Sequence, residues 1–212
     1  MNCADKPDAK DDSCRHLSFV MKKDVSLFFP LLQLGVMVRS HVGCSVMMFL
    51  SEEMEISRET IEKIQSIFLD GSPVDDLESA MVKDGSVLAL SAAMPGLVGA
   101  TLRRGGAYSS FRGGITYHET GEHCASGEGL VRIKLFNLLM AELGPGLLKR
   151  GIFIESSVLK DFLREQPEDF WQGCRRITLD GKPLVSRELS DSVWLSGKGQ
   201  IFLSVSSDQA RA

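Results

Sequence analysis

This 212-residue chain has no Cys-x-x-Cys pair, and its five cysteines make an odd set without regular spacing. Both absences argue against a disulfide framework and against a paired zinc knuckle. Positive charge is short as well. Lys and Arg number 24 against 28 Asp and Glu, for a net charge of −4. That balance lacks the basic field that general nucleic-acid affinity needs, so none is expected. Long apolar runs are missing too. The longest, Val25 to Val38, is broken by Pro30, Gln33 and Gly35, whereas a membrane span takes roughly 20 apolar residues. Met1 to Arg15 is polar and of mixed charge, without the apolar core of a signal peptide. The expected setting is cytoplasmic, with no membrane partner. Catalytic signatures are equally scarce. There is no Gly-x-Ser-x-Gly elbow, no Gly-Lys-Ser/Thr of a P-loop, and no glycine fingerprint opening a helix after a strand. Glu52, Glu53 and Glu55 read as a solvated loop face, and no acid/base pair stands out.

What the chain does contain is an internal repeat. Ile67-Phe68-Leu69-Asp70-Gly71-Ser72-Pro73-Val74 returns as Ile177-Thr178-Leu179-Asp180-Gly181-Lys182-Pro183-Leu184. An apolar run follows each copy, Leu88 to Ser91 after the first and Ile201 to Ser204 after the second. A repeat constrains architecture before any motif is weighed. The length independently suggests two compact units. Residues 1–22 read as a flexible tail, because Asp5, Lys6, Asp8, Lys10, Asp11 and Asp12 leave little to bury. The first unit is expected over 23–115, a linker or exposed loop over 116–129, and the second unit over 130–208.

Within the first unit, Val25 to Leu34 suggests a short helix limited by Pro30. Gly35 to Arg39 and Ser45 to Leu50 read as two strands around the turn His41 to Cys44. Ser57 is placed to cap a helix carrying Ile61, Ile64 and Phe68. Ile67 to Leu69 and Val87 to Ala92 are the next strands, with Asp70-Gly71 as a hairpin turn. The second unit is expected to open with an amphipathic helix bearing Val131, Leu135, Leu138, Leu139 and Leu143, ended by Gly144-Pro145-Gly146. Gly151 to Glu155 matches Gly35 to Arg39 as a strand. Ser157 to Arg164 and Pro167 to Gly173 read as helices, and Gln200 to Val205 as the last strand.

The order strand, strand, helix, strand, strand in the first unit resembles the ubiquitin-like β-grasp. Residues 35–96 are similar to the small sulfur-carrier proteins of thiamine and molybdopterin synthesis. The likeness rests on Leu69-Asp70-Gly71, Pro73-Val74, Lys83-Asp84-Gly85 and the strand Ser86 to Ala92. It implies an α+β fold of two tandem β-grasp-like units, the second degenerate, each a small mixed sheet packed on a helix. The carriers react through a free C-terminal Gly-Gly, but here the strand runs on into Met94-Pro95-Gly96. Carrier chemistry would need cleavage at Gly105-Gly106 or Gly113-Gly114.

Two side-chain groups carry the functional expectations. Arg103, Arg104 and Arg112 lie in the glycine-rich segment 95–114, where guanidinium and freed backbone N–H groups suit a phosphate or carboxylate. His41, Cys44, His118, His123 and Cys124 pair imidazole with thiol at short spacing, the ligand types of zinc. The leading expectation is a non-enzymatic binding or scaffold protein without a cofactor. It would take a protein partner or a small anionic ligand through the Arg-Gly segment. The alternatives are a zinc-type metal protein or metal-dependent enzyme, and a carrier activated by proteolysis.

Overall fold

The computed structural model describes residues 14–119, 125–185, 189 and 199–208. The first half begins with β1 (Arg15–Met21), a 3-10 turn (Ser26–Phe28), α1 (Phe29–Leu34) and β2 (Val36–Val42). β3 (Cys44–Ser45), α2 (Val46–Met48), a π-helical turn (Phe49–Glu53) and α3 (Arg58–Lys63) follow. Then come β4 (Ser66–Leu69), β5 (Ser72–Pro73), β6 (Met81–Val82), β7 (Val87–Ser91), α4 (Gly96–Leu102) and a 3-10 turn (Ser109–Arg112). The second half comprises β8 (Gly127–Phe136), α5 (Leu139–Arg150), β9 (Ile152–Glu155), α6 (Ser156–Arg164) and α7 (Glu168–Gly173). It closes with β10 (Cys174–Leu179), β11 (Lys182–Pro183) and β12 (Gln200–Ser207).

The fold is α+β, built on one mixed ten-stranded sheet in the order β11-β10-β1-β12-β9-β2-β8-β7-β4-β5. β3 and β6 form a separate two-stranded sheet. Along the long strands burial alternates, as the two-residue strand period requires. Leu17, Phe19 and Met21 of β1, Val131, Ile133 and Leu135 of β8, and Ile201, Leu203 and Val205 of β12 are all buried. They join Leu31 and Leu32 of α1, Leu147 and Leu148 of α5, Leu159 and Leu163 of α6, and Phe170 of α7 in one core. Phe19, Phe28, Phe162 and Phe170 form a ring cluster within it, with closest centroids 5.1 to 5.6 Å apart.

The sheet is two matching sets of five strands joined at the centre. β2 and β9, which follow Gly35 and Gly151, meet antiparallel through the pair Met37 and Phe153. Outward from that seam, the neighbour relations run antiparallel, parallel, antiparallel, antiparallel on both sides. Each half nevertheless borrows a strand. β8, from the second half of the chain, sits between β2 and β7, and β1, from the first, sits between β12 and β10.

The repeated octapeptide makes the same hairpin twice. Asp70 and Asp180 have φ of 50° and 51°, and Gly71 and Gly181 have φ of 84° and 77°. Two successive positive φ values define the type I′ turn that suits strand twist, which explains Asp-Gly at both sites. Each aspartate also holds the neighbouring strand. Val87 N donates to Asp70 Oδ1 at 2.7 Å and His16 N to Asp180 Oδ1 at 2.9 Å. The strand that follows the first copy, β7, is its partner, whereas the second copy pairs with β1 rather than β12. We predict that Asp70→Ala and Asp180→Ala each cost about 1–2 kcal/mol in urea unfolding, from a lost acceptor and a left-handed alanine. The hairpins also end the sheet. Its edge strands, β5 and β11, are two residues long and contain Pro73 and Pro183, which resist further strand pairing.

Several expectations change. The tandem units expected over 23–115 and 130–208 share one sheet with exchanged strands, and of the residues expected on the Ser57-capped helix Ile64 ends it and Phe68 lies in β4. Residues 15–21, read as part of a tail, form a strand inside the sheet, because Leu17, Phe19 and Met21 recur at the two-residue strand period and are buried while Ser18 and Val20 between them are not. Of Ser45 to Leu50, expected as a strand, only Ser45 is extended, and Val46 to Leu50 is helical. Ser45 Oγ accepts from Met48 N, and Val46, Phe49 and Leu50 bury one helical face. Val131 to Leu135 is strand, since Ile133 joins Val131 and Leu135 in the core while Arg132 and Lys134 alternate with them. Gly144-Pro145-Gly146 lies inside α5 and does not end it. A Cβ at Gly144 would stand 2.8 Å from the Phe29 ring, so helix packing explains that glycine. No helix among the described residues is long and apolar enough to cross a membrane.

Candidate functional site

The Arg-Gly segment is built differently from a ligand cradle. Arg112, its side chain only 3% exposed, forms an ion pair with Asp75 at 2.6 Å. Its Nε donates to Thr101 O at 2.7 Å and another guanidinium nitrogen to Thr116 Oγ1 at 3.1 Å. Arg104 donates through its side chain to Ile61 O at 3.3 Å and through its backbone to Gln65 O at 2.7 Å. Gly105 N donates to Asp75 Oδ1 at 3.2 Å. Arg112 and Arg104 are thus struts holding the segment to β4, β5 and the end of α3. Of the three arginines only Arg103 is exposed.

Struts of this kind present what lies between them. Leu97, Val98, Tyr108, Phe111 and Ile115 are five of the ten exposed large apolar side chains among the described residues, and all fall in this segment or, for Ile115, at its end. Leu97 is 74% exposed and Phe111 79%. Tyr108 and Phe111 stack with ring centroids 6.1 Å apart. Beneath α4 runs an apolar groove of about 390 Å³ lined by Phe68, Ala89, Met94, Val98 and Phe136. Ala89 and Phe136 lie on the sheet face opposite the main core. Beyond the segment, Tyr117 N donates to Pro73 O at 2.8 Å, closing over the β5 edge. The Tyr117 hydroxyl donates to Glu119 at 2.6 Å. Burial and that carboxylate push the phenol up to about 12.

Three of the five expected metal ligands, His41, Cys44 and His118, are among the described residues. His41, exposed on β2, places Nε2 2.7 Å from Ser126 Oγ. Cys44 is buried with its thiol 3.8 Å from His41 O, and burial together with Glu53 pushes the thiol up. His118 is exposed. Among the described residues no three His, Cys, Asp or Glu side chains are grouped to hold a metal ion. His123 and Cys124 lie outside the described residues. Cys174 is a half-buried thiol that burial raises to about 11, far from the depressed range of a reactive cysteine.

A second concavity, of about 660 Å³, opens on the helical side of the sheet. Leu90, Ile133 and Leu135 form its floor, and residues of the π-helical turn, the start of α3 and α5 form its walls. Its signal in the sequence was Glu52-Glu53-Met54-Glu55, but only the fold sets those carboxylates over an apolar floor. Glu53 turns inward, accepting from Ser40 Oγ at 2.8 Å and His41 N at 3.0 Å. The His41 N–H and the Ser40 hydroxyl hold its carboxyl below the usual range.

Comparison with protein-family models, with curated proteins and with solved structures returns no match for this chain.

Proposed function

We propose that this is a non-enzymatic binding or scaffold protein whose contact surface is the segment 95–115, directed at a protein partner. The observation that carries the reading is the apolar cluster of Leu97, Val98, Tyr108, Phe111 and Ile115, held out by two arginine struts. Exposed apolar side chains gathered on one short segment mark interaction sites. Aromatic anchors beside a groove are the usual centre of such an interface. Arg103, exposed within the segment, selects a partner with an acidic residue near its apolar anchor. Proline at both sheet edges favours docking on a face over strand addition. Each half, completed by its borrowed strand, is read as a β-grasp-like sheet on helices, the resemblance noted in residues 35–96.

A photo-crosslinker at position 111, compared with one at Leu27, tests this in native extract. One discrete adduct from position 111 alone is expected, and Phe111→Asp in the parent chain should weaken that complex at least tenfold. The same substitution should leave stability within about 0.5 kcal/mol, because the ring is already in water. Equal crosslinking from both positions, a complex indifferent to Phe111→Asp, or flotation of the protein with lipid vesicles in place of an adduct would each overturn the proposal.

A further inference from the structure

We infer that the cleft on the helical side is a second binding site, for a small ligand with an apolar body and a cationic head. It does not depend on the partner surface, because the two lie on opposite faces of β7. Leu90 faces the cleft, while Ala89 and Ser91 face the groove beneath α4. The cleft's volume of about 660 Å³ falls in the range of small-molecule sites. Its floor and inner wall are apolar: Leu90, Ile133, Leu135, Leu143, Leu147 and Ile56. Its rim is anionic, with Glu52, Glu55 and Glu142 against the guanidinium of Arg150, while the Glu53 carboxylate is turned to Ser40 and His41.

That guanidinium is turned to the protein. Arg150 donates to Glu53 O and, at 3.2 Å, to Arg39 O. It ties α5 to the π-helical turn and so frames the cleft. Glu142 accepts from Thr60 Oγ1 at 2.8 Å, which ties α5 to α3 at another point of the wall. The site is therefore braced at two places. Glu52 and Glu55 stand exposed at the mouth. An ammonium or guanidinium meets opposite charge there while its hydrocarbon part replaces water on the floor. A carboxylate or phosphate would meet repulsion instead.

Gly146 supplies a further reason to read this space as kept open. Glycine is among the least favourable residues inside a helix. Gly144, two positions earlier, is required by the Phe29 and Leu32 side chains against it. At Gly146, by contrast, a Cβ would meet nothing within 4 Å among the described residues, and the residue lines the cleft. Packing among the described residues does not call for this glycine. A ligand lying along α5 would use the space it leaves.

The test uses the full chain and two probes of equal chain length, n-decylammonium and decanoate, titrated calorimetrically below their aggregation concentrations. Decylammonium is expected to saturate one site per chain and to bind at least tenfold more tightly than decanoate. Gly146→Phe should weaken it at least tenfold without lowering the thermal midpoint. Glu52→Gln with Glu55→Gln, both at exposed positions, should weaken it about fivefold or more, and serves if Gly146→Phe fails to fold. Absence of saturable binding, equal affinity for the two probes, or binding unchanged in both variants would overturn the inference. Loss of the partner complex in Phe111→Asp with retained decylammonium binding would separate the two sites.

Discussion

A chain beginning at residue 23 will lose cooperative folding, although that truncation removes only residues whose composition reads as a tail. β1 supplies Leu17, Phe19 and Met21 to the core, each at most 1% exposed. At about 1.5–3 kcal/mol for each buried side chain, their loss approaches the about 5–15 kcal/mol that stabilises a typical domain. Removing the strand also strips ladder partners from β10 on one side and β12 on the other. Phe19→Ala gives the graded version. Its ring packs on Phe28 and Phe170 at 5.1 and 6.3 Å, so a loss of about 3–5 kcal/mol is expected. Urea unfolding followed by circular dichroism checks both. A truncated chain that unfolds with the parent's midpoint and slope would show that β1 is dispensable.

The second large effect belongs to Asp75. Asp75→Ala leaves Arg112 buried without its counter-charge and removes the acceptor of Gly105 N. Orphaning a buried charge costs about 3–5 kcal/mol. The lower end is expected here, because Thr101 O, Arg103 O and Thr116 Oγ1 remain as acceptors. The damage should be local, with amide exchange rising across 95–115 while β4 and β7 stay protected. Asp75→Ala combined with Arg112→Met should be more stable than Asp75→Ala alone, since the charge needing compensation is gone. A single variant as stable as the parent, or a double variant that is worse, would remove Arg112 from its role as a strut. Partner affinity should fall with the single variant, because the apolar cluster hangs on that strut.

The parts of the fold legible in the sequence are those set by neighbours along the chain. Asp-Gly demanded the hairpins at 70–71 and 180–181, Ser57 capped α3 through Thr60 N, and Pro30 fell in the first turn of α1. The strands at 36, 67, 87, 152 and 200 also stand where alternation or matching runs put them. Where one run satisfied two periods, local reading failed. Val131 and Leu135 fit a helix by their spacing of four and a strand through Ile133 midway between them, and pairing with β2 and β7 decided for strand. Val46 to Leu50 is the converse, an apolar run whose cap at Ser45 and buried face turned it helical.

For the candidate sites the division is sharper. The Arg-Gly segment was conspicuous in composition, but the fold reverses the roles within it. Arg112 is hidden and its apolar neighbours are displayed, because Asp75, far away in sequence, claims the guanidinium. The cleft left only three glutamates as a trace. Its floor comes from β7 and β8 and its far wall from α5, segments brought together by the sheet.

By itself, then, the sequence determined the recurring octapeptide, its two Asp-Gly turns, the lack of a long apolar run or a basic field, and the α+β character. Each of these follows from backbone preferences or bulk charge, which act over a few residues or over the whole chain without regard to contacts. Only the tertiary structure decided that each half takes a strand from the other, that the repeats end the sheet, and which charges face water. Those outcomes depend on which apolar faces bury one another, and that is a contest among segments distant in the chain.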